Sequence, residues 1–214
     1  MMRKFKLFLS LRAEEKWINL VQETGYRLVK VNPFLHIYTF EKLNSETDFS
    51  PYTRIDFHDE NMSTSKYLDY VTMFSDSGWK LVYGSRHGGA QYFQQKNAQS
   101  PRDIFSDLES KNLPRKRFIN FALTYVILLF TDFFVFIQAG YFNWNNLFNL
   151  RSWYLTPGLW NMKGNVFWRA FLFETPFALL RSVFFLFFLI MGIYYILKAI
   201  VNGNDVREST INDK

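Results

Sequence analysis

Two charges embedded in apolar sequence are the residues best placed to do chemistry. Asp132 interrupts the stretch from Phe118 to Gln138, and Arg181 lies near the start of the greasier stretch from Phe177 to Ile200. A charge in hydrocarbon is costly, so such residues are expected to pair, to line a proton or ion route, or to contact another subunit. Counted from the basic residues flanking each stretch, the two fall at comparable depth in an antiparallel helix pair. The spacing predicts an intramembrane ion pair, Asp132 with Arg181, that fixes helix register. Two helices alone enclose no conduction path, so transport would require oligomers or a partner.

The other polar groups point away from catalysis. His36, His58 and His87 each fall on a different strand or loop, with no carboxylate–histidine cluster at ligand spacing, so no metal and no cofactor is expected. Asp56, His58, Asp59 and Glu60 precede a helix and read as capping and solvation. The loop Gly84 to Gly89 carries Arg86 and could invite a phosphate. It lacks the dinucleotide and P-loop patterns and joins two strands, so it reads as a hairpin turn. Nothing resembling a nucleophile elbow frames any serine, and no catalytic residue is expected. The absence of cysteine excludes disulfides, thiolate metal sites and a cysteine nucleophile. The net charge of +6 includes no basic tract longer than Arg115-Lys116-Arg117, which argues against a nucleic-acid footprint.

The elements that would carry these residues fall into two halves. Charge is concentrated before about residue 117 and after 203, while the 25 Phe crowd into the second half, which argues against one soluble core. Residues Lys4 to Leu9 read as a strand with Phe5, Leu7 and Leu9 alternating onto one face. A helix follows, capped by Ser10 and closed by Gly25, with Trp17, Leu20, Val21 and Thr24 as its apolar stripe and Lys16, Asn19 and Glu23 on the wet side. Tyr26 to Val31 and His36 to Leu43 read as a hairpin around Asn32-Pro33, and Tyr52 to His58 as a further strand. A second helix, Ser63 to Ser77, presents Tyr67, Tyr70, Val71 and Phe74 and closes at Gly78. Trp79 to Tyr83 and Gln91 to Gln95 form the last strand pair. Setting Gly25 over Gly78 aligns two helix-glycine-aromatic-basic-Leu-Val runs, which reads as a duplicated helix-strand unit and predicts a ferredoxin-like split β-α-β arrangement with both helices on one face of a sheet.

In the second half, Phe118 to Gln138 is long enough to cross about 30 Å of hydrocarbon at about 1.5 Å per residue. Phe177 to Ile200 is longer, with Thr175 expected as cap and Pro176 at the first helical position. Arg115, Lys116, Arg117 and Lys198 flank the stretches on one side, against a thinner scatter of Arg151, Lys163 and Arg169 between them, which puts both termini in the cytoplasm. The short apolar run near Met1 is too brief for a secretory signal. The connecting segment holds Trp144, Trp153, Trp160 and Trp168, interleaved with Asn143, Asn145, Asn146 and Asn149, and reads as one or two interfacial helices broken near Pro157-Gly158 on the outer leaflet. Ser100 to Pro114 mixes Asp103, Asp107 and Glu109 with Arg102 and Lys111, and its apolar Ile104, Phe105 and Leu108 could rest on lipid headgroups or on the soluble module.

Glu15-Lys16-Trp17, Gly25-Tyr26-Arg27-Leu28, Tyr38-Thr39-Phe40-Glu41-Lys42, Tyr52 with Arg54-Ile55-Asp56-Phe57, Ser77-Gly78-Trp79 and Gly89-Ala90-Gln91-Tyr92-Phe93 together resemble the domain of unknown function 2812 family. The likeness covers roughly residues 3 to 97, with Ala90 where a bulkier residue is usual. It implies Gram-positive bacterial proteins, many with membrane segments after the module and often encoded near PadR-type regulators. It supplies no activity and no site residue.

The expected protein is therefore α+β, a ferredoxin-like N-terminal domain followed by a two-helix transmembrane hairpin. Its parts are a cytoplasmic module (1–98), a basic juxtamembrane linker (99–117), a first span (118–138), an outer aromatic loop (139–175), a second span (176–200) and a polar tail (201–214). The expected setting is the inner (plasma) membrane. Expected partners are the lipid bilayer and a protein, either a regulator or another membrane subunit, with room for a homo-oligomer. The leading expectation is a non-enzymatic interaction or regulatory protein, with sensing of envelope state as one role open to it, and the alternative is an accessory or immunity-type subunit of a transport or efflux complex.

Overall fold

In the computed structural model, which describes residues 1–44, 49–102, 108–139 and 149–212 without the side chains of 181–185 and 212, the N-terminal part folds as one β-α-β-β motif used twice. β1 (Met2–Phe5), α1 (Leu11–Glu23), β2 (Tyr26–Asn32) and β3 (Ile37–Lys42) make an antiparallel sheet in the order β1-β3-β2. β4 (Thr53–His58), α2 (Thr64–Asp76), β5 (Trp79–Tyr83) and β6 (Gly89–Gln95) repeat it in the order β4-β6-β5. Setting Gly25 over Gly78, an offset of 53 positions, lays α1 on α2, cap Ser10 on cap Ser63, and the bulge at Leu28/Lys30 on that at Leu81/Tyr83.

Each repeat thus contains a split β-α-β element, but the single ferredoxin-like sheet is replaced by two small antiparallel sheets. The physical reason is local pairing. Tight β2–β3 and β5–β6 hairpins fill one side of each central strand, and the strand that opens each repeat fills the other. The repeats join through side chains instead. Phe8, Ile18, Leu28, Tyr38 and Phe40 from the first meet Ile55 and Tyr92 from the second in one core, while Phe74, Trp79 and Phe93 form a smaller one. Asn19, expected on the wet face of α1, is buried: it donates to the Thr53 carbonyl at 3.0 Å and accepts the Thr53 N–H at 2.7 Å. Gln22 beside it reaches the Pro51 carbonyl, the Thr53 hydroxyl and the Leu28 N–H, so α1 clasps the start of the second repeat while Leu20 faces outward.

The matched glycines make a differential prediction. Both sit at φ +86°, where an L-residue is strained by about 1–2 kcal/mol. A Cβ on Gly25 meets nothing within 4 Å, whereas one on Gly78 lies 2.7 Å from the buried Ser100 hydroxyl. Gly78→Ala is expected to lower the urea midpoint clearly more than Gly25→Ala, and equal midpoints would contradict this.

The chain divides into two compact bodies, Met1–Ala122 with Leu197–Lys214, and Leu123–Ile196. Two long helices contribute to both, α3 (Leu108–Gln138) and α4 (Gly164–Asn212). Each has a stretch long and apolar enough to cross a membrane, with mean hydropathy 1.9 and 1.8, and only 17 % of either stretch is buried. A helix of a soluble core would hide most of such a surface.

Both helices exceed their expected bounds. α3 starts inside the linker and carries Pro114 within it. α4 begins twelve positions ahead of Pro176, so Thr175 is no cap: its hydroxyl donates to the Phe171 carbonyl one turn back, at 2.6 Å. The residues after 200, expected as a loose polar tail, continue α4 to Asn212.

Within the second body α3 and α4 run antiparallel, with Tyr125 against Tyr195, Phe130 against Gly192 and Phe136 against Phe188. Residues 149–163 form two short 3-10 turns, Leu150–Trp153 and Leu159–Asn161, in place of interfacial helices. They fold back on the start of α4. Tyr154 stacks on Phe171, Trp160 abuts Phe167, and the buried Glu174 accepts the N–H groups of Leu155 and Thr156.

Candidate functional site

The polar groups that converge most closely in the first body lie where the ends of α3 and α4 meet the start of α1. The first N–H groups of any helix lack intrahelical partners. Ser10 supplies the usual cap, its hydroxyl accepting the Ala13 N–H at 3.2 Å. The Leu11 N–H goes instead to Asn202, fully buried on α4, at 3.2 Å. The Asn202 amide nitrogen donates to the carbonyls of Leu9 at 2.9 Å and Lys198 at 2.8 Å. One turn on, Asp205 accepts from the Ser10 hydroxyl; farther on, Glu208 lies 3.8 Å from Arg12, and the Ser209 hydroxyl donates to Asn112 of α3 at 2.9 Å. A two-turn stretch of α4, Asn202 to Ser209, therefore caps and clamps the first helix of the module.

Beside this seat is a cavity of about 160 Å³ lined by Arg12, Glu15, Arg54, Lys111, Asn112 and Arg115. Glu15 pairs with Arg54 and accepts the Ile55 N–H at 3.1 Å, and burial pushes its carboxyl up against the pull of the guanidinium. Arg115 donates to Asn112 at 2.8 Å. The lining is cationic on balance and holds no nucleophile paired with a base. Its chemistry is ionic recognition or adjustment of the helix ends rather than bond making.

Two buried acids stand nearby. Glu14 accepts hydrogen bonds from the hydroxyls of Tyr38, at 2.7 Å, and Tyr92. Burial raises its carboxyl above the ordinary 4.5, with both tyrosines and Lys198 pulling it down and Glu15 pushing up. Asp56 accepts the Tyr70 hydroxyl at 2.7 Å, lies 3.2 Å from His58 and 4.0 Å from Arg117, and is buried rather than capping α2, which uses Ser63. Phe57 next to it packs edge-on against Phe118 and Phe121 of α3.

Glu14 sets a pH dependence. A carboxyl raised on folding contributes stability that is complete below its unfolded value and is lost as pH rises through the folded value. Comparing urea unfolding of the detergent-solubilised chain at pH 5 and pH 8, the loss on going to pH 8 is expected to be smaller in Glu14→Gln than in the parent. Parallel losses would show that Glu14 is not the group involved.

The residues singled out in sequence are scattered. Arg115 and Arg117 join the seat and the Asp56 cluster, Lys116 is exposed, and Lys198 lies over the Phe118 ring at 5.4 Å. Trp160 stacks with Arg151 and Tyr154, Trp168 is exposed beside Phe167 and Phe171, and Trp153 sits in the first 3-10 turn. Trp144, Asn143, Asn145, Asn146 and the linker positions Asp103, Ile104, Phe105 and Asp107 lie outside the described residues, as does the Arg181 side chain.

Asp132 lies on α3 and Arg181 on α4. Asp132 is exposed and falls between the Phe130–Gly192 and Phe136–Phe188 contacts, so it is level with residues 188–192. Arg181 precedes that stretch by at least seven residues, about 10 Å along the axis at about 1.5 Å per residue. Asp132→Asn is expected to shift thermal stability in detergent by no more than about 0.5 kcal/mol. A large loss, rescued by exchanging the two charges, would restore the pair.

Among the described residues no three His, Asp or Glu side chains are grouped to hold a metal ion. What sequence reasoning missed is Asn202: a lone Asn four residues past Lys198 gives no signal until α4 is known to continue. No curated protein and no solved structure matches the chain. The family model described as Protein of unknown function (DUF2812) matches residues 10–127, which takes in both repeats except β1, and the first turns of α3 beyond Arg117, and the chain belongs to that family.

Proposed function

We propose that this chain is a membrane-anchored interaction or regulatory protein without catalytic activity, held in the inner (plasma) membrane by α3 and α4 as a transmembrane hairpin with both termini cytoplasmic. The observation that supports this best is the seat around Asn202, because an apolar helix that ends by capping the first helix of a folded module gives that module a direct mechanical link to the bilayer. A shift or rotation of α4 by part of a turn would uncap α1 and reshape the cationic cavity between Arg12, Arg54 and Arg115. The bilayer is one partner, and a soluble regulator recognising the module is the other. A neighbourhood with PadR-type regulators, which the family resemblance implies, would accord with such a role.

A second reading, an accessory or immunity-type subunit of a transport or efflux complex, is favoured by the aromatic surface around Trp160, Trp168 and Phe171, a fit for a partner's membrane helix. Purification of the full chain in mild detergent, beside Asn202→Leu, separates the two. A soluble partner retained by the parent and lost from the variant is the expected result. A polytopic partner retained by both favours the second reading, and hydrolytic or transferase activity in the purified chain would contradict both.

A further inference from the structure

The apolar alternation at the N-terminus faces outward. Phe5 and Leu7 are 68 % and 56 % exposed, Phe8 alone turns into the core, and the β2–β3 turn beside them offers Phe34 at 88 % and Leu35 at 49 %. These residues are neighbours: Phe5 pairs with Ile37, and the Lys6 N–H donates to the His36 carbonyl at 3.1 Å. The fold does not require them to be apolar. At the same backbone positions of the second repeat, 53 residues on, stand His58, Glu60, His87 and Gly88. The exposed apolar tip belongs to one repeat only, so its cause is what that tip touches.

Its position identifies the occupant. Along α4 toward the apolar stretch, the module's partners change from Arg12 at Glu208, to Ser10 at Asp205, to Leu9 and Leu11 at Asn202. One turn further, the charge of Lys198 reaches both Glu14 and His36, the residue that closes the β2–β3 turn. Leu197 and Ile200 are exposed at that level. The tip therefore stands beside the Leu197–Ile200 turn of α4, where that helix enters the first body. Arg3, Lys4 and Lys6 flank Phe5 in sequence, with the Lys6 ammonium over the Phe8 and Trp17 rings, the composition that favours an anionic lipid surface.

We propose that Phe5, Leu7, Phe34 and Leu35 insert into the boundary between headgroups and acyl chains of an anionic leaflet, making the first repeat a third membrane contact beside α3 and α4. This rests on the membrane reading of the two helices. Phe and Leu gain from leaving water at that depth, while the lysines reach phosphates. The contact would fix the tilt of the module against the bilayer, and with it the geometry of the Asn202 seat.

The chain has no cysteine, so single reporters can be introduced freely. The full chain is reconstituted in vesicles of phosphatidylethanolamine and phosphatidylglycerol, with an environment-sensitive fluorophore on Phe34→Cys, on His87→Cys as the matched polar tip, or on Ile127→Cys in α3. Lipids brominated near the glycerol end of the acyl chain serve as quenchers. The expected result is blue-shifted emission and bromine quenching at position 34, increasing with the phosphatidylglycerol fraction, and red, unquenched emission at 87. Quenching at 127 with none at 34 overturns this inference alone. Absence of quenching at 127 overturns the membrane reading and the inference with it. A blue shift at 34 that ignores brominated lipid but rises with protein concentration would assign the tip to a second copy and overturns the lipid contact.

Discussion

Asn202→Leu will release the start of α1 from the end of α4, lowering stability by about 2–4 kcal/mol, the cost of leaving buried donors and acceptors without partners. The substitution keeps the branched heavy-atom shape and raises helix propensity but removes every side-chain bond of Asn202. The Leu11 N–H loses its acceptor and the Leu9 carbonyl its donor, both against a now apolar wall. The Lys198 carbonyl is less affected, since the helix still supplies its own backbone donor. The loss should be local before it is global. Hydrogen exchange of the full chain in detergent should accelerate in peptides covering 9–14 and 199–212, with β2 and β3 unchanged. Uniform acceleration, or none, would show that the seat does not hold the module as described.

Trp79→Ala will cost about 3–5 kcal/mol, the range for truncating a large aromatic in a core. Trp79 is fully buried against Phe74 and Phe93, in a cluster too small to collapse around the void. Among the described residues its indole N–H has no hydrogen-bond partner, so the packing and not the polar edge is what matters. Trp79→Phe should therefore recover most of the loss in a urea titration. If Phe proved as damaging as Ala, the indole nitrogen would have to be making a bond that the packing account omits.

Much of the module was legible because its signals are local. Gly25 and Gly78 and the paired aromatic-basic-Leu-Val runs announced the duplication, and the offset that aligns them also aligns the caps Ser10 and Ser63 and the bulges. The failures are all tertiary. An alternating Phe5, Leu7 and Leu9 reads as a strand with one apolar face, but periodicity cannot say whether that face turns inward. Asn19 and Asp56 looked solvated because nothing in a linear pattern shows that Thr53 or Tyr70 will arrive beside them. Two sheets rather than one follow from which edges pair across the repeats, a long-range choice that hairpin signals leave open. The ends of α3 and α4 were misjudged for a similar reason. Thr175-Pro176 is a good start signal, and packing of Phe167 and Phe171 against Tyr154 overrides it. Extending α4 through the polar residues after 200 then brought Asn202 to the start of α1.

The whole account depends on hydrocarbon as the solvent of α3 and α4. Alkaline carbonate washing of membranes carrying the full chain tests it most directly. The protein should stay in the pellet and come out only with detergent. If it moves to the supernatant and is monodisperse in plain buffer, with residues 118–138 and 177–200 protected from exchange inside a globule, the membrane assignment is wrong.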